Sequence, residues 1–169
     1  IEVTDRCKYI RVIIAELARI QDHLLSVGTA ALDLGAFTAF LYGFNEREGI
    51  YDIFEDVCGA RFTTSYTRVG GLMYDIPSGW TDKVKRFINE QLPPAIADLE
   101  NLLNHNRIFI ERTKGVGAIG HDDAINWSLT GPLARASGVR RDLRKDEPYL
   151  AYNDFDFKVP IARSGDALA

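Results

Sequence analysis

Between Thr4 and Val27 the apolar residues Ile10, Ile13, Ile14, Leu17, Ile20, Leu24 and Leu25 recur at intervals of three and four, while Arg11, Glu16, Arg19, Gln21 and Asp22 fill the other side. That period predicts an amphipathic helix with Thr4 as its N-cap and Gly28 as its stop. Residues 29–44, TAALDLGAFTAFLYGF, lose the pattern: one charge, Asp33, stands in a run whose apolar residues surround every helical face. Such a run predicts a centrally buried helix. It is short for a membrane span, which needs about 20 apolar residues, and it ends in the charged Asn45-Glu46-Arg47-Glu48. From Asn45 to Val57 a charged helix continues with Ile50, Ile53, Phe54 and Val57 as its inner stripe and Gly59 as its C-cap.

Residues 60–80 alternate β-branched and aromatic residues with polar ones around Gly70-Gly71 and Pro77-Ser78-Gly79, the pattern of short extended pieces and ordered loops. From Thr81 the positions Val84, Phe87, Ile88, Leu92, Ala95, Ile96, Leu99, Leu102 and Leu103 keep one helical phase. Pro93-Pro94 therefore kinks one long helix or splits it into two nearly collinear ones. After Thr113 glycines punctuate the chain to Gly138, with one short helix predicted over 122–129. The tail, 146–163, holds Pro148, Pro160 and a Phe155, Phe157, Val159 alternation that predicts one strand. The fold class is mainly α with a minor β component, and residues 1–169 are read as one unit able to bury a core.

Composition removes several function classes. A net charge of −4 and a pI near 5.4 argue against a nucleic-acid partner, which needs Lys and Arg massed on one face. Cys7 and Cys58 form no C-x-x-C pair, so neither a disulfide framework nor a cysteine-built metal site is expected. Ile1 is not an initiator Met, no basic segment precedes an apolar one, and a further helix is predicted to begin at Ser164-Gly165-Asp166. The chain therefore reads as an excised segment whose own ends carry no targeting information.

Gly115-Val116-Gly117-Ala118-Ile119-Gly120 matches the G-x-G-x-x-G dinucleotide fingerprint by letter, with Asp142 downstream. A long helix rather than a strand precedes it, which favours a structural glycine loop. His121-Asp122-Asp123 reads as a helix N-cap ahead of Ala124 rather than as a metal cluster, and three scattered histidines make no ligand set. Arg135, Arg140, Arg141, Arg144 and Lys145 form the densest basic stretch, compatible with a solvated loop or with a contact surface for a partner's carboxylates. Asp33 is the residue that most invites a functional reading. A carboxylate in an apolar helix is paired or takes up a proton, unless it simply caps a helix beginning near Leu34, and position alone leaves both open.

Three long segments, YIRVIIAELARIQDHLLSVGTAALDLGAFTAFLYGFNERE, FEDVCGARFTTSYTRVGGLMYDIP and INWSLTGPLARASGVRRDLRKDEPYLAY, closely resemble the 49-kDa subunit, also called the D-type subunit, of respiratory complex I, the NADH:quinone oxidoreductase. That family is related to the large subunit of nickel-iron hydrogenases, and the resemblance runs in order along essentially the whole chain. It implies a hydrogenase-large-subunit-like helical core at the cytoplasmic side of the bacterial inner membrane, peripheral and without a transmembrane segment of its own. The implied partners are other complex I subunits: the small subunit carrying the terminal 4Fe-4S cluster, and the membrane subunit of the quinone site. NADH is oxidised elsewhere in such a complex, and the isolated segment is expected to be inactive. Asp33 of A-L-D-L-G-A matches the family's aspartate that supports a quinone-contacting histidine lying upstream of Ile1. Arg68 of T-R-V-G-G matches an arginine near the cluster-facing side, and Arg135 and Arg144 match arginines of interface or structural role. One departure stands out: many members have histidine after G-A-R-F or G-A-R-M, near the cluster, where this chain has Thr63. Threonine does not titrate near neutral pH, so the resemblance with this change implies a lower, weakly pH-dependent cluster potential suited to menaquinone. Two other readings are a membrane-bound nickel-iron hydrogenase large subunit, which would need two C-x-x-C pairs in flanking sequence, and a structural or assembly protein with a dead site.

Overall fold

A computed structural model describes residues 2–169. Helices dominate, and the only strand pairing among the described residues is one two-residue ladder. The chain divides into two compact units, Ile1–His105 and Asn106–Ala169.

The first unit is built on an antiparallel pair, α1 (Asp5–Asp33) and α2 (Phe37–Cys58). Thr4 caps α1 as its hydroxyl accepts from the Cys7 N–H at 3.3 Å. α1 does not stop at Gly28. That glycine is buried, and a Cβ there would stand 3.4 Å from the Phe40 Cα, so it lets α2 approach closely instead of ending the helix. The turn falls at Leu34-Gly35-Ala36, inside the run expected to be one buried helix. The burial expected for that run is corrected as well: Leu32, Phe37, Leu41 and Tyr42 are exposed, Phe37 by 55%. α2 then follows its stripe, with Ile50, Ile53, Phe54 and Val57 buried and Gly59 closing it in the left-handed region at φ 69°.

β1 (Thr67–Arg68) and β2 (Gly71–Leu72) form a tight antiparallel hairpin across Val69-Gly70. α3 (Trp80–Arg86) passes through a five-residue π-helical turn, Phe87–Gln91, into α4 (Leu92–Leu102). The π turn meets the demand of Pro93 and Pro94: both rings sit in the first turn of α4, where a missing N–H costs little, and the wider turn before them takes up the bend. Trp80 ties this arm to α2, its indole N–H donating to the Ile53 carbonyl at 2.9 Å.

The second unit has four short helices: α5 (Arg107–Thr113), α6 (His121–Asn126), α7 (Gly131–Ala136) and α8 (Leu143–Asp146). The periodicity of the sequence predicts only one of them. The expected strand around Phe157 is absent; the segment has no regular secondary structure after a 3-10 turn at Tyr152–Asp154. α6 begins at His121 behind Gly120, so Asp122 and Asp123 occupy its first turn and do not cap it. The glycine loop is closed by the chain's own tail. Asp166 accepts from the Gly115 N–H at 2.7 Å, and Ile119 N–H donates to the Gly165 carbonyl at 3.0 Å. The predicted helix start at Ser164-Gly165-Asp166 is a bend serving that closure.

Candidate functional site

Asp33 is the last residue of α1, exposed at the tip of the α1–α2 hairpin, and makes no hydrogen bond or ion pair among the described residues. It is neither a buried acid nor the cap of a following helix, since α2 begins only at Phe37 behind Ala36. Exposed Leu32 precedes it, and exposed Phe37 and Leu41 follow in the first turns of α2. The arrangement is a carboxylate with both oxygens available, set within apolar surface.

The other two candidates lie at the opposite end of the pair. Arg11, near the start of α1, donates from one guanidinium nitrogen to the carbonyls of Arg68 and Gly71, the latter at 2.7 Å, and so fixes the hairpin to the helix. From position 11 to position 33, α1 rises roughly 33 Å at about 1.5 Å per residue. Asp33 and Arg68 therefore do not share one site within this unit. Arg68 points its guanidinium to the Met73 sulfur at 3.8 Å, and Val69 at the hairpin tip is exposed. Thr63 lies on this same end, just past the C-terminus of α2, exposed and in the left-handed region at φ 54°. That conformation is unusual for a β-branched residue and commoner for histidine or asparagine. Its loop is held by Arg61, which reaches Glu48, Asp52 and Glu55 of α2. These contacts, the Glu48 hydrogen bond first, raise the Arg61 pKa.

Beside the hairpin, Arg6 and Asp75 pair at 3.0 Å, and the Arg6 hydrogen bond holds the Asp75 carboxyl below its usual range. Beneath them Tyr66 is buried and donates to the Tyr74 carbonyl at 2.8 Å. Burial, then the nearby Asp75, pushes its phenol pKa up. An apolar groove of about 380 Å³ between α1 and α4, lined by Ile20, Leu24, Ile96 and Leu99, contains none of the candidate residues.

In the second unit, Arg144 is held bidentately by Asp142, at 3.0 and 2.7 Å, with side chains only 15% and 7% exposed. Asp142 also accepts from the Arg144 N–H, capping α8, and the Phe157 ring lies 4.5 Å from the guanidinium. These contacts, the side-chain bond first, hold the Asp142 pKa at about 2. Arg135 donates weakly to the Arg141 carbonyl at 3.5 Å. No group of three or more His, Cys, Asp or Glu side chains able to hold a metal is found among the described residues.

Similarities to known proteins decide the family. The family model of the respiratory-chain NADH dehydrogenase 49 Kd subunit matches residues 33–169. The chain belongs to this family. It is 52% identical over 165 residues to the D-type subunit of NADH-quinone oxidoreductase from Methylacidiphilum infernorum, covering 98% of this chain and 39% of that protein. It is 52% identical over 169 residues to a D-type subunit of the NADH-quinone oxidoreductase of Chloroherpeton thalassium, covering 100% of this chain and 38% of the relative. The H-type subunit of the chloroplast NAD(P)H-quinone oxidoreductase of Fagopyrum esculentum is 49% identical over 169 residues, covering 100% and 43%. The chain thus spans about two-fifths of the length of the curated relatives it matches. No helix among the described residues is long and apolar enough to cross a membrane.

Arg11, whose hydrogen bonds set the hairpin that carries Arg68, was not legible in the sequence. Its signal is faint: one arginine on the polar side of an amphipathic helix resembles any other. Arg47, buried in the α1–α2 seam, also carried no signal beyond one charge in a charged stretch.

Proposed function

We propose that this chain is a working part of an NADH:quinone oxidoreductase and helps form its quinone-reduction site. The observation that carries the reading is the placement of Asp33, solvent-facing and without a partner at an exposed apolar hairpin tip, in a chain 52% identical to a relative named as an NADH-quinone oxidoreductase subunit. A free carboxylate can accept a hydrogen bond from a histidine on flanking polypeptide, raise its basicity and keep it protonated. That histidine then donates to a quinone carbonyl as negative charge develops on it. Reducing quinone to quinol takes two electrons and two protons. In this reading the electrons come from a 4Fe-4S cluster carried by a partner small subunit, and the second proton comes from a further donor outside the chain. The first contacts to the headgroup belong to residues outside the chain, and Asp33 acts as a positioning residue.

In this reading the hairpin end, with Thr63 and Arg68, faces the cluster-bearing subunit, the Asp33 end lies toward the membrane subunit, and the quinone headgroup binds between the two. The complex docks this subunit peripherally on the cytoplasmic side of a bacterial membrane. Because Thr63 supplies no titrating imidazole beside the cluster, the acceptor is a low-potential quinone, menaquinone. Photolabelling the intact complex with an azido-quinone tests the assignment. Label should fall on the 32–42 segment as well as on flanking polypeptide, and label confined to the second unit would contradict it.

A further inference from the structure

The α1–α2 seam contains an arginine that the rest of its unit leaves unanswered. Arg47, in the middle of α2, is only 3% exposed. Its guanidinium carbon lies 4.6 Å from the Phe44 ring centroid and 5.6 Å from that of Tyr51. Its Nε is buried without a hydrogen-bond partner, and no ion pair or hydrogen bond reaches its side chain among the described residues. Other arginines of the chain have oxygen partners: Arg61 has Glu48 and Asp52, Arg144 has Asp142, and Arg11, whose Nε is likewise buried without an acceptor, still reaches two carbonyls through its terminal nitrogen. Ring stacking offsets only part of the cost of taking a guanidinium out of water.

A second donor lies at the same level. Gln21 of α1 is 6% exposed, and its Nε2 is likewise buried without an acceptor. The register of the pair is fixed where Gly43 meets the Leu24 carbonyl and Gly28 meets Phe40. Continuing that antiparallel register brings position 21 opposite position 47. Two neighbouring orphan donors, one charged and one neutral, call for an acceptor with two oxygens and a negative charge, which a carboxylate supplies.

We propose that Arg47 and Gln21 form a carboxylate-binding site that takes an Asp or Glu side chain from polypeptide outside these 169 residues. The relatives leave room for such a segment, since the chain spans only 39% of the length of the Methylacidiphilum protein. Both the remainder of the same subunit and a neighbouring subunit offer the same chemistry. This site is separate from Asp33 and does not depend on the quinone reading.

The test uses Arg47→Met in the full-length subunit, purified alone and assembled in the complex. Methionine keeps an unbranched stem but removes the charge, so a paired carboxylate would be stranded in the seam. Its folded pKa would then rise above its unfolded value of about 4. A stability deficit should appear at pH 7 as a fall in Tm of about 5 °C. It should narrow as pH is lowered toward 4, because the stranded carboxyl takes up a proton in the variant while it stays ionised beside Arg47 in the parent. A deficit in the isolated subunit assigns the carboxylate to the same polypeptide; a deficit only in the complex assigns it to a neighbouring subunit. Unchanged or higher Tm in both, or a deficit that does not vary with pH, overturns the proposal and leaves Arg47 a packing element solvated by water. If R47M does not fold, R47Q is judged by the same pH contrast.

Discussion

Replacing Asp142 with Asn removes one charge while leaving an oxygen that can still accept from the Arg144 N–H and cap α8. What is lost is the charged, bidentate pair with Arg144, whose two side chains are 7% and 15% exposed. The Asp142 carboxyl is held at about 2, against an ordinary value of 3.8. That depression corresponds to about 2 kcal/mol of stability for the second unit at neutral pH. The sign follows from the direction of the shift: the folded pKa is depressed, so the contribution is complete above 3.8 and disappears as pH falls toward 2. The pair is mostly buried, so salt should change the effect little. D142N should therefore open the second unit about 30-fold more often at pH 7, read as faster native-state amide exchange at Lys145 and Asp146, whose N–H groups bond the Asp142 carbonyl at 2.9 Å. Near pH 2.5, with unfolding followed by circular dichroism, the deficit should shrink to about a third of its pH 7 size as protonation of Asp142 begins. A deficit of equal size at both pH values would mean that packing, not charge, carries the effect, and no deficit at pH 7 would refute the pairing argument outright.

Gly165 has φ 63°, and a Cβ there would stand 2.1 Å from the Ile119 carbonyl oxygen. G165A should cost more than about 2 kcal/mol in urea unfolding of the second unit and release the 115–120 loop; a neutral substitution would show that the tail does not lock that loop. Thr63, at φ 54°, stores strain that asparagine would relieve, so T63N should stabilise the first unit by about 1 kcal/mol in thermal unfolding; a loss would show that threonine's methyl is needed in place. With no imidazole at position 63, the parent complex's cluster should titrate with a shallow potential-versus-pH slope by EPR, and T63H should steepen it. A steep slope in the parent would mean that position 63 does not set the cluster's proton coupling.

The sequence revealed features set by local periodicity and by backbone chemistry. The stripe Ile50, Ile53, Phe54, Val57, the Thr4 cap, the Gly59 stop and the bend demanded by Pro93-Pro94 all stand in the structure. Features that depend on what lies across a contact were not legible. Gly28 reads as a stop in one dimension but is a close-approach point once Phe40 crosses it. The Phe155, Phe157, Val159 alternation has the strand period, yet pairing needs a second strand, and Phe157 instead lies over Arg144 and Lys145. The run around Asp33 reads as buried because its composition suits an interior; in this chain Ala31 and Ala39 are buried but Leu32, Phe37, Leu41 and Tyr42 are exposed. Apolar surface left open in this way fits a segment whose cover comes from other polypeptide. Short helices such as α7 and α8, of six and four residues, carry too few turns for a period to register.

The role proposed for Asp33 in quinone reduction meets its most direct test in one preparation assayed with two acceptors. In membranes carrying Asp33→Asn complex, NADH oxidation with ferricyanide should match the parent, while NADH oxidation with quinone should fall at least about 10-fold, as the histidine that donates the proton loses its orienting carboxylate. Equal quinone rates in D33N and parent complex would contradict that role and leave Asp33 an ordinary surface carboxylate.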